Sequence, residues 1–140
     1  MKKFTMVLFC LMLLTSMFLI CEGAPKKVTL RLMQFKPEIT DQVHNMAKQY
    51  NKENPNVTME VEILQADYEA VLRTKLNARN APDIFMTNGY FYNQVYLDYS
   101  YDLTNESFMK QIDPNTLEAA TLDGKIYGFP FLVESYAFIY

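Results

Sequence analysis

Apolar and polar positions change their period several times between residues 28 and 87. Residues 28–35 are rich in strand-forming types and alternate, which predicts a first β-strand ending near Phe35. Pro37 then breaks the strand and suits the first turn of a helix. Apolar residues recur beyond it at helical spacing, which predicts an amphipathic helix with one apolar stripe. The members of this stripe are Ile39, Val43, Met46, Ala47 and Tyr50.

A second strand and a second helix follow the same plan. Asn54-Pro55 ends the first helix, because the residue before a proline avoids the helical region. Residues 57–64 alternate again, and Asp67 is placed to cap the next helix by accepting a hydrogen bond from a free amide. Residues 83–87 form a short apolar run without alternation, which is typical of a buried parallel strand. The apolar stripe of the second helix consists of Tyr68, Val71, Leu72 and Leu76.

This order of strands and helices predicts an α/β fold with a mostly parallel sheet flanked by helices. The carboxyl ends of parallel strands lie on one edge of a sheet, and ligands of open α/β sheets bind at that edge. We therefore expect the segments after the first and third strands to lie close together. These segments are Gln34-Phe35-Lys36 and Asn88-Gly89-Tyr90-Phe91.

The pattern is weaker after Tyr101. Residues 102–105 and the pair Asp113-Pro114 predict turns, each followed by a short irregular or helical piece. Asp123-Gly124-Lys125 predicts a hairpin between two short strands. Further strands are predicted over residues 126–129 and 133–140.

The first 23 residues have the composition of an export signal. Lys2-Lys3 precedes an almost wholly apolar run over residues 4–20, which predicts a secretory signal peptide over residues 1–23. The small residues Cys21 and Gly23 suit the two subsites that a signal peptidase reads. Two alternatives stay open: a retained membrane anchor, and a lipoprotein whose lipid-modified terminus is Cys21. The protein is therefore expected in the periplasm or on the outer face of the cytoplasmic membrane.

Charge and composition count against several classes of function. Both cysteines lie in the export segment, so the remainder of the chain has no disulfide or thiolate chemistry. Removing residues 1–23 takes away two of the 13 basic and one of the 16 acidic residues and leaves a net charge of −4. That charge disfavours a nucleic acid as partner. His44 is the only histidine, and neither a phosphate loop nor a nucleophile elbow is present. The sequence predicts a protein that is not an enzyme and uses no cofactor.

Three segments resemble the family 1 extracellular solute-binding proteins of bacterial ABC importers, the maltose-binding-protein-like group. Residues 124–140 match the family pattern G-K-x-Y-G-x-P-x-x-V-E-x-x-x-x-x-Y and are the most specific of the three. Residues 81–85 are similar to the x-P-D-[IV] entry to the family's third strand. Residues 50–57 are similar to its F-x-x-x-[NHY]-P-x-[IV] junction.

The resemblance implies a two-lobed type II periplasmic-binding fold that closes on its ligand by a hinge motion. Residues 24–133 would then be the N-terminal lobe, and residues 134–140 would begin the crossover towards a second lobe that this chain lacks. The implied function is binding of a solute, with carbohydrate as the expected class, for delivery to an ABC permease in the membrane. A single lobe is not expected to close around a sugar. The alternative is a surface lipoprotein with a structural or adhesive role.

The resemblance matches Glu134 to a ligand-contacting glutamate, whose carboxylate would accept strong hydrogen bonds from sugar hydroxyls. Tyr136 lies on the same strand face and either stacks on a sugar ring or packs in the hinge. The remaining candidate ligand contacts follow the first and third predicted strands and are Gln34, Phe35, Asn88, Tyr90 and Phe91.

The residues after the two strands have different expected roles. Asn88 offers hydrogen-bond donors and acceptors, and Tyr90 and Phe91 offer flat faces to a sugar ring. At least one of these aromatics is expected to dock beneath the following helix. One of Gln34 and Phe35 is expected to face the ligand, and Lys36 is expected to be solvated. The helical spacing of Tyr92, Tyr96 and Tyr99 predicts a packed helix face.

We predict that residues 1–23 direct export and are removed, because a basic start followed by an apolar run engages the secretory machinery. N-terminal sequencing of the exported protein should give Ala24 as the first residue. A mature protein that begins at Met1 would contradict cleavage, and a lipid-modified Cys21 would establish the lipoprotein alternative.

Overall fold

The computed structural model describes residues 26–132. The expectations for the export segment, for Cys21, for Glu134 and Tyr136, and for a strand over residues 133–140 concern residues outside this range.

A three-stranded parallel sheet forms the centre of the described chain. Strand β1 (Val28–Gln34) lies between β2 (Val57–Ile63) and β3 (Ile84–Phe85), which gives the order β2-β1-β3. β1 pairs with β2 along its whole length, from Val28 opposite Val57 to Gln34 opposite Ile63. It pairs with β3 only at Leu32 and Met33. The predicted parallel α/β arrangement is confirmed.

Helix α1 (Thr40–Glu53) follows a short 3-10 helix over Pro37–Ile39, with Pro37 in the first turn as predicted. α1 packs against β2 and buries Val43 and Ala47. Only part of the predicted apolar stripe is covered, since Met46 and Tyr50 are exposed. The reason is that α1 covers β2 at the side of the described sheet, so that only the residues directly over the strand are covered.

Helix α2 (Tyr68–Asn77) supplies most of the core on the other face of the sheet. Its Tyr68, Leu72 and Leu76 pack with Met33 of β1 and with Tyr96, which confirms the predicted stripe. Asp67 precedes the helix as predicted, but its side chain makes no capping hydrogen bond. Its φ of 56° is left-handed, whereas a side chain that caps a helix requires an extended backbone at that position.

Strand β3 is shorter and less buried than predicted. It comprises only Ile84 and Phe85, of which Phe85 packs on the core and Ile84 is exposed. Ile84 belongs to the opposite face from Phe85, because successive side chains of a strand alternate. In the described chain, α1 covers that face over β2 and leaves it open at β3.

The second half of the described chain is built from short elements. Helix α3 (Gly89–Val95) leads to Tyr96, which is 1% exposed, and short 3-10 helices follow. Strands β4 (Thr121–Leu122) and β5 (Lys125–Ile126) form the predicted hairpin. Asp123 and Gly124 have φ values of 50° and 77°, as a tight hairpin turn requires. The strand predicted over residues 126–129 is confined to Lys125–Ile126. The 3-10 helices are Leu97–Tyr99, Ser107–Gln111, Pro114–Thr116 and Glu118–Ala120.

The hydroxyl of Tyr68 joins α2 to two strands at once. It accepts a hydrogen bond from the Met86 amide at 2.9 Å. It also lies 2.8 Å from the Met86 carbonyl oxygen and 3.1 Å from the Met33 carbonyl oxygen, to either of which it can donate. Burial raises the pKa of Tyr68 well above its ordinary value, so the hydroxyl keeps its proton. The hydroxyl therefore fixes the carboxyl ends of β1 and β3 beside the start of α2.

We predict that Tyr68→Phe destabilises the fold by about 1–3 kcal/mol, because it leaves buried backbone groups of Met33 and Met86 with fewer partners. Urea unfolding of the variant beside the unchanged protein measures the difference. Tyr50→Phe is the control, since Tyr50 is an exposed tyrosine on α1, away from the core around Met33. Equal stability of Tyr68→Phe and the control would show that the Tyr68 hydroxyl does not hold the two strands.

Candidate functional site

The candidate site lies where β1 and β3 end side by side. The Met86 amide donates to the Met33 carbonyl at 3.0 Å, and the Leu64 amide donates to the Gln34 carbonyl at 2.9 Å. The segments that follow the strands therefore leave the sheet from one edge. The strands that lead into Gln34-Phe35-Lys36 and Asn88-Gly89-Tyr90-Phe91 thus end side by side, and the close approach of these two segments themselves stays a prediction.

Gln34 and Phe35 differ in how deeply their side chains are buried. Gln34 is 2% exposed, and its side-chain amide accepts from the Lys36 amide and donates to the Lys36 carbonyl at 2.9 Å. Phe35 is half-buried and meets the Tyr68 ring edge-on, with ring centroids 5.0 Å apart. Gln34 therefore shapes the bend after β1, and Phe35 keeps part of its ring exposed.

The expectation that Lys36 is solvated is wrong. Its side chain is 18% exposed, and Nζ lies 3.8 Å from a carboxylate oxygen of Glu38. The same Nζ lies 5.7 Å from the centroid of the Phe35 ring. An aromatic face and a carboxylate both attract an ammonium group, so they hold the Lys36 side chain against the protein.

Asn88, Tyr90 and Phe91 form an exposed aromatic loop at the same edge. Asn88 stands at the cap position of α3 and makes no capping hydrogen bond, and Gly89 begins the helix with a φ of 71°. Tyr90 is 48% exposed and Phe91 is 65% exposed. We call residues 88–91 the aromatic loop.

The expectation that Tyr90 or Phe91 docks beneath the next helix is wrong. Tyr92 packs against the core instead and stacks on Tyr96, with ring centroids 6.4 Å apart. The spacing of these two tyrosines in the sequence carried that signal, and their predicted packing is confirmed. The predicted face does not extend to Tyr99, which is 48% exposed. Because Tyr92 and Tyr96 turn inwards, Tyr90 and Phe91 point elsewhere on the helix and remain exposed.

Hydrogen bonds of Asn93 and Tyr96 that the sequence does not indicate hold the aromatic loop in place. Asn93 accepts a hydrogen bond from the Thr87 hydroxyl at 2.5 Å and donates to the Ala119 carbonyl at 2.6 Å. Tyr96 donates to a carboxylate oxygen of Glu69 at 2.5 Å. Burial, aided by this bond to Glu69, raises the pKa of Tyr96 to about 12, so the phenol stays a donor at neutral pH. No sequence signal indicates these bonds, since each joins elements more than 20 residues apart or closes a loop.

The aromatic loop is neutral in its side-chain chemistry. The aromatic loop contains an amide, a phenol and a phenyl ring and no charged group. Among residues 26–132, no three His, Cys, Asp or Glu side chains lie close enough together to hold a metal ion. Within the same residues, no helix combines the length and the apolarity that crossing a bilayer requires. The arrangement can offer stacking and uncharged hydrogen bonds to a ligand.

A sequence model of the family described as "Bacterial extracellular solute-binding protein" matches residues 45–140. The chain is 26% identical over 110 residues to the melibiose/raffinose/stachyose-binding protein MelE of Bacillus subtilis, covering 78% of this chain and 26% of MelE.

Two solved structures show the same fold. Apo RafE of Streptococcus pneumoniae aligns with a TM-score of 0.69 at 24% identity, over 79% of this chain and 29% of RafE. A sugar transporter of Bacillus licheniformis, solved with stachyose, aligns with a TM-score of 0.64 at 29% identity, over 74% of this chain and 27% of the transporter.

The chain thus spans between a quarter and three tenths of the length of these relatives. The family match extends over more than half of the chain, and the parallel sheet with its flanking helices agrees with the fold of the aligned structures. On this sequence match and this fold, the chain belongs to the bacterial extracellular solute-binding protein family.

Proposed function

We propose that the protein binds a neutral oligosaccharide outside the cytoplasm for uptake by an ABC importer. The observation that carries the proposal is the aromatic loop at the carboxyl edge of the sheet. It presents two exposed rings and one amide that makes no capping hydrogen bond. That edge is where open α/β sheets bind their ligands.

The chemistry of the loop favours a sugar over other solutes. The flat faces of Tyr90 and Phe91 suit the C–H faces of a pyranose ring, and the Asn88 amide can both donate to and accept from hydroxyls. The absence of Lys and Arg from residues 88–91 disfavours an anionic ligand. The names of the relatives support the same class, since MelE is a melibiose-, raffinose- and stachyose-binding protein and the Bacillus licheniformis protein was solved with stachyose.

The proposed contacts fall into two groups. Asn88, Tyr90 and Phe91 touch the sugar directly, and Phe35 contributes the exposed part of its ring. Gln34 acts by shaping the bend after β1, because its amide is already bonded to the Lys36 backbone. We also propose that the sugar contacts Glu134 and Tyr136, which lie in the segment that matches the family pattern.

The remaining parts of the proposal concern the protein's place in the cell. Residues 1–23 direct export, residues 24–133 form the N-terminal lobe, and residues 134–140 begin the crossover to a second lobe. The sugar-loaded protein docks on permease subunits in the membrane. Before docking, it is either free in the periplasm or held at the membrane surface by a lipid on Cys21. The sugar is bound and released unchanged, so the protein is a receptor and not an enzyme.

We predict that Tyr90→Ala and Phe91→Ala each weaken sugar binding about tenfold, which equals about 1.4 kcal/mol, because each removes one stacking face. Titration calorimetry of the full-length protein with raffinose and stachyose measures the loss. Tyr99→Ala is a matched control, since Tyr99 is 48% exposed like Tyr90 but lies beyond α3.

An unchanged affinity in both aromatic-loop variants would contradict the proposed site. Loss of affinity in Tyr99→Ala alone would show that the sugar binds away from the carboxyl edge of the sheet. Recovery of cleaved sugar after incubation with the protein would contradict the receptor function.

A further inference from the structure

The Asn88-Gly89 peptide combines three features that favour chemical change at asparagine. It is the chain's only Asn-Gly pair. Asn88 is exposed and its side chain makes no capping hydrogen bond. Apart from the chain neighbours of Gly89 and the backbone of α3, no heavy atom of the described chain lies within 4 Å of the place where a Cβ would stand at Gly89. The surroundings of the Gly89 amide are therefore open, and glycine has no side chain to hinder the approach of its nitrogen to the Asn88 side chain.

We propose that Asn88 is a site of spontaneous deamidation. The backbone nitrogen of Gly89 attacks Cγ of Asn88 and forms a new C–N bond. The side-chain nitrogen leaves as ammonia and carries away the proton that the attacking nitrogen loses. One water then opens either C–N bond of the cyclic imide, which yields aspartate or isoaspartate at position 88. The balance is one water gained and one ammonia lost, so no oxidant, metal or enzyme is needed.

The product alters the aromatic loop in two ways. Both forms add a negative charge to a loop that has none. Isoaspartate also inserts an extra carbon into the backbone at the residue that precedes α3, next to Gly89 at φ 71°. The modification therefore changes the charge and the direction of the segment that carries Tyr90 and Phe91. The covalent change itself does not depend on the proposed function.

The neighbouring asparagines provide internal controls. Asn93 is held by hydrogen bonds to Thr87 and Ala119, and the Asn80 side chain accepts from Arg31 at 2.6 Å. Asn105 is exposed, as Asn88 is, but glutamate follows it instead of glycine. Asn105 thus isolates the effect of the following glycine, while Asn80 and Asn93 show the effect of a bound side chain.

A single peptide reports all four sites, because trypsin cleaves after Arg79 and Lys110 and at no position between them. The full-length protein is incubated in mildly alkaline buffer, sampled over time and digested, and fragment-ion mass spectrometry locates each conversion of amide to acid. Asn88 is expected to convert about tenfold faster than Asn105, which corresponds to a barrier lower by about 1.4 kcal/mol. The expected order places Asn80 and Asn93 last.

Conversion of Asn105 or Asn93 at the rate of Asn88, or retention of the Asn88 amide throughout, would overturn the proposal. In Asn88→Gln, conversion at position 88 should stop and the rates at the other three sites should stay unchanged. Because the assay contains no sugar, its result is independent of whether the protein binds one.

Discussion

The hydroxyl of Tyr68 lies where α2, β1 and β3 meet, and the positions of the segments after β1 and β3 depend on it. β3 has only two residues paired with β1, which is little for a strand that leads into the exposed aromatic loop. The Tyr68 hydroxyl adds bonds to the Met86 backbone and reaches the Met33 carbonyl on the neighbouring strand. Without it, the carboxyl end of β3 would be held to β1 by two residue pairs and by the Met86 amide, which donates to the Met33 carbonyl. A buried polar group without a partner lowers the free energy of unfolding by more than a typical hydrogen bond raises it. The loss of one hydroxyl can therefore have a large effect.

The aromatic loop is exposed because of the way in which α3 packs on the core. Tyr92 and Tyr96 enter the core on one side of α3, and the helical period then directs Tyr90 and Phe91 away from it. Asn93 bonds the start of the loop at Thr87 to Ala119, so the helix cannot turn without breaking both bonds. Exposed rings on a fixed backbone lose little entropy on binding, as a preorganised site requires.

Periodicity was enough to predict the sheet, the helices and the edge at which their loops emerge. Short-range patterns along the sequence are enough to predict two features: the apolar stripe of Tyr68, Leu72 and Leu76, and the hairpin at Asp123-Gly124. The failed predictions concern side-chain packing in three dimensions, which the period of the sequence does not give. Lys36 is drawn in by an aromatic ring and a carboxylate, and Met46 stays exposed because the sheet beneath α1 is narrow. Tyr90 and Phe91 stay exposed because Tyr92 and Tyr96 occupy the inward face of α3. No pattern in the sequence reveals that Asn93 reaches Ala119.

We propose that a sugar binds where β1 and β3 end, on the aromatic loop. Amide NMR spectra of the full-length protein, recorded during a titration with raffinose, test it residue by residue. The largest shifts within residues 26–132 are predicted at residues 88–91 and at residues 35–36, with the exposed face of α1 around Met46 little changed. Chemical shifts that change mainly in α1, while the amide signals of residues 88–91 stay unchanged at saturation, would contradict this placement of the sugar.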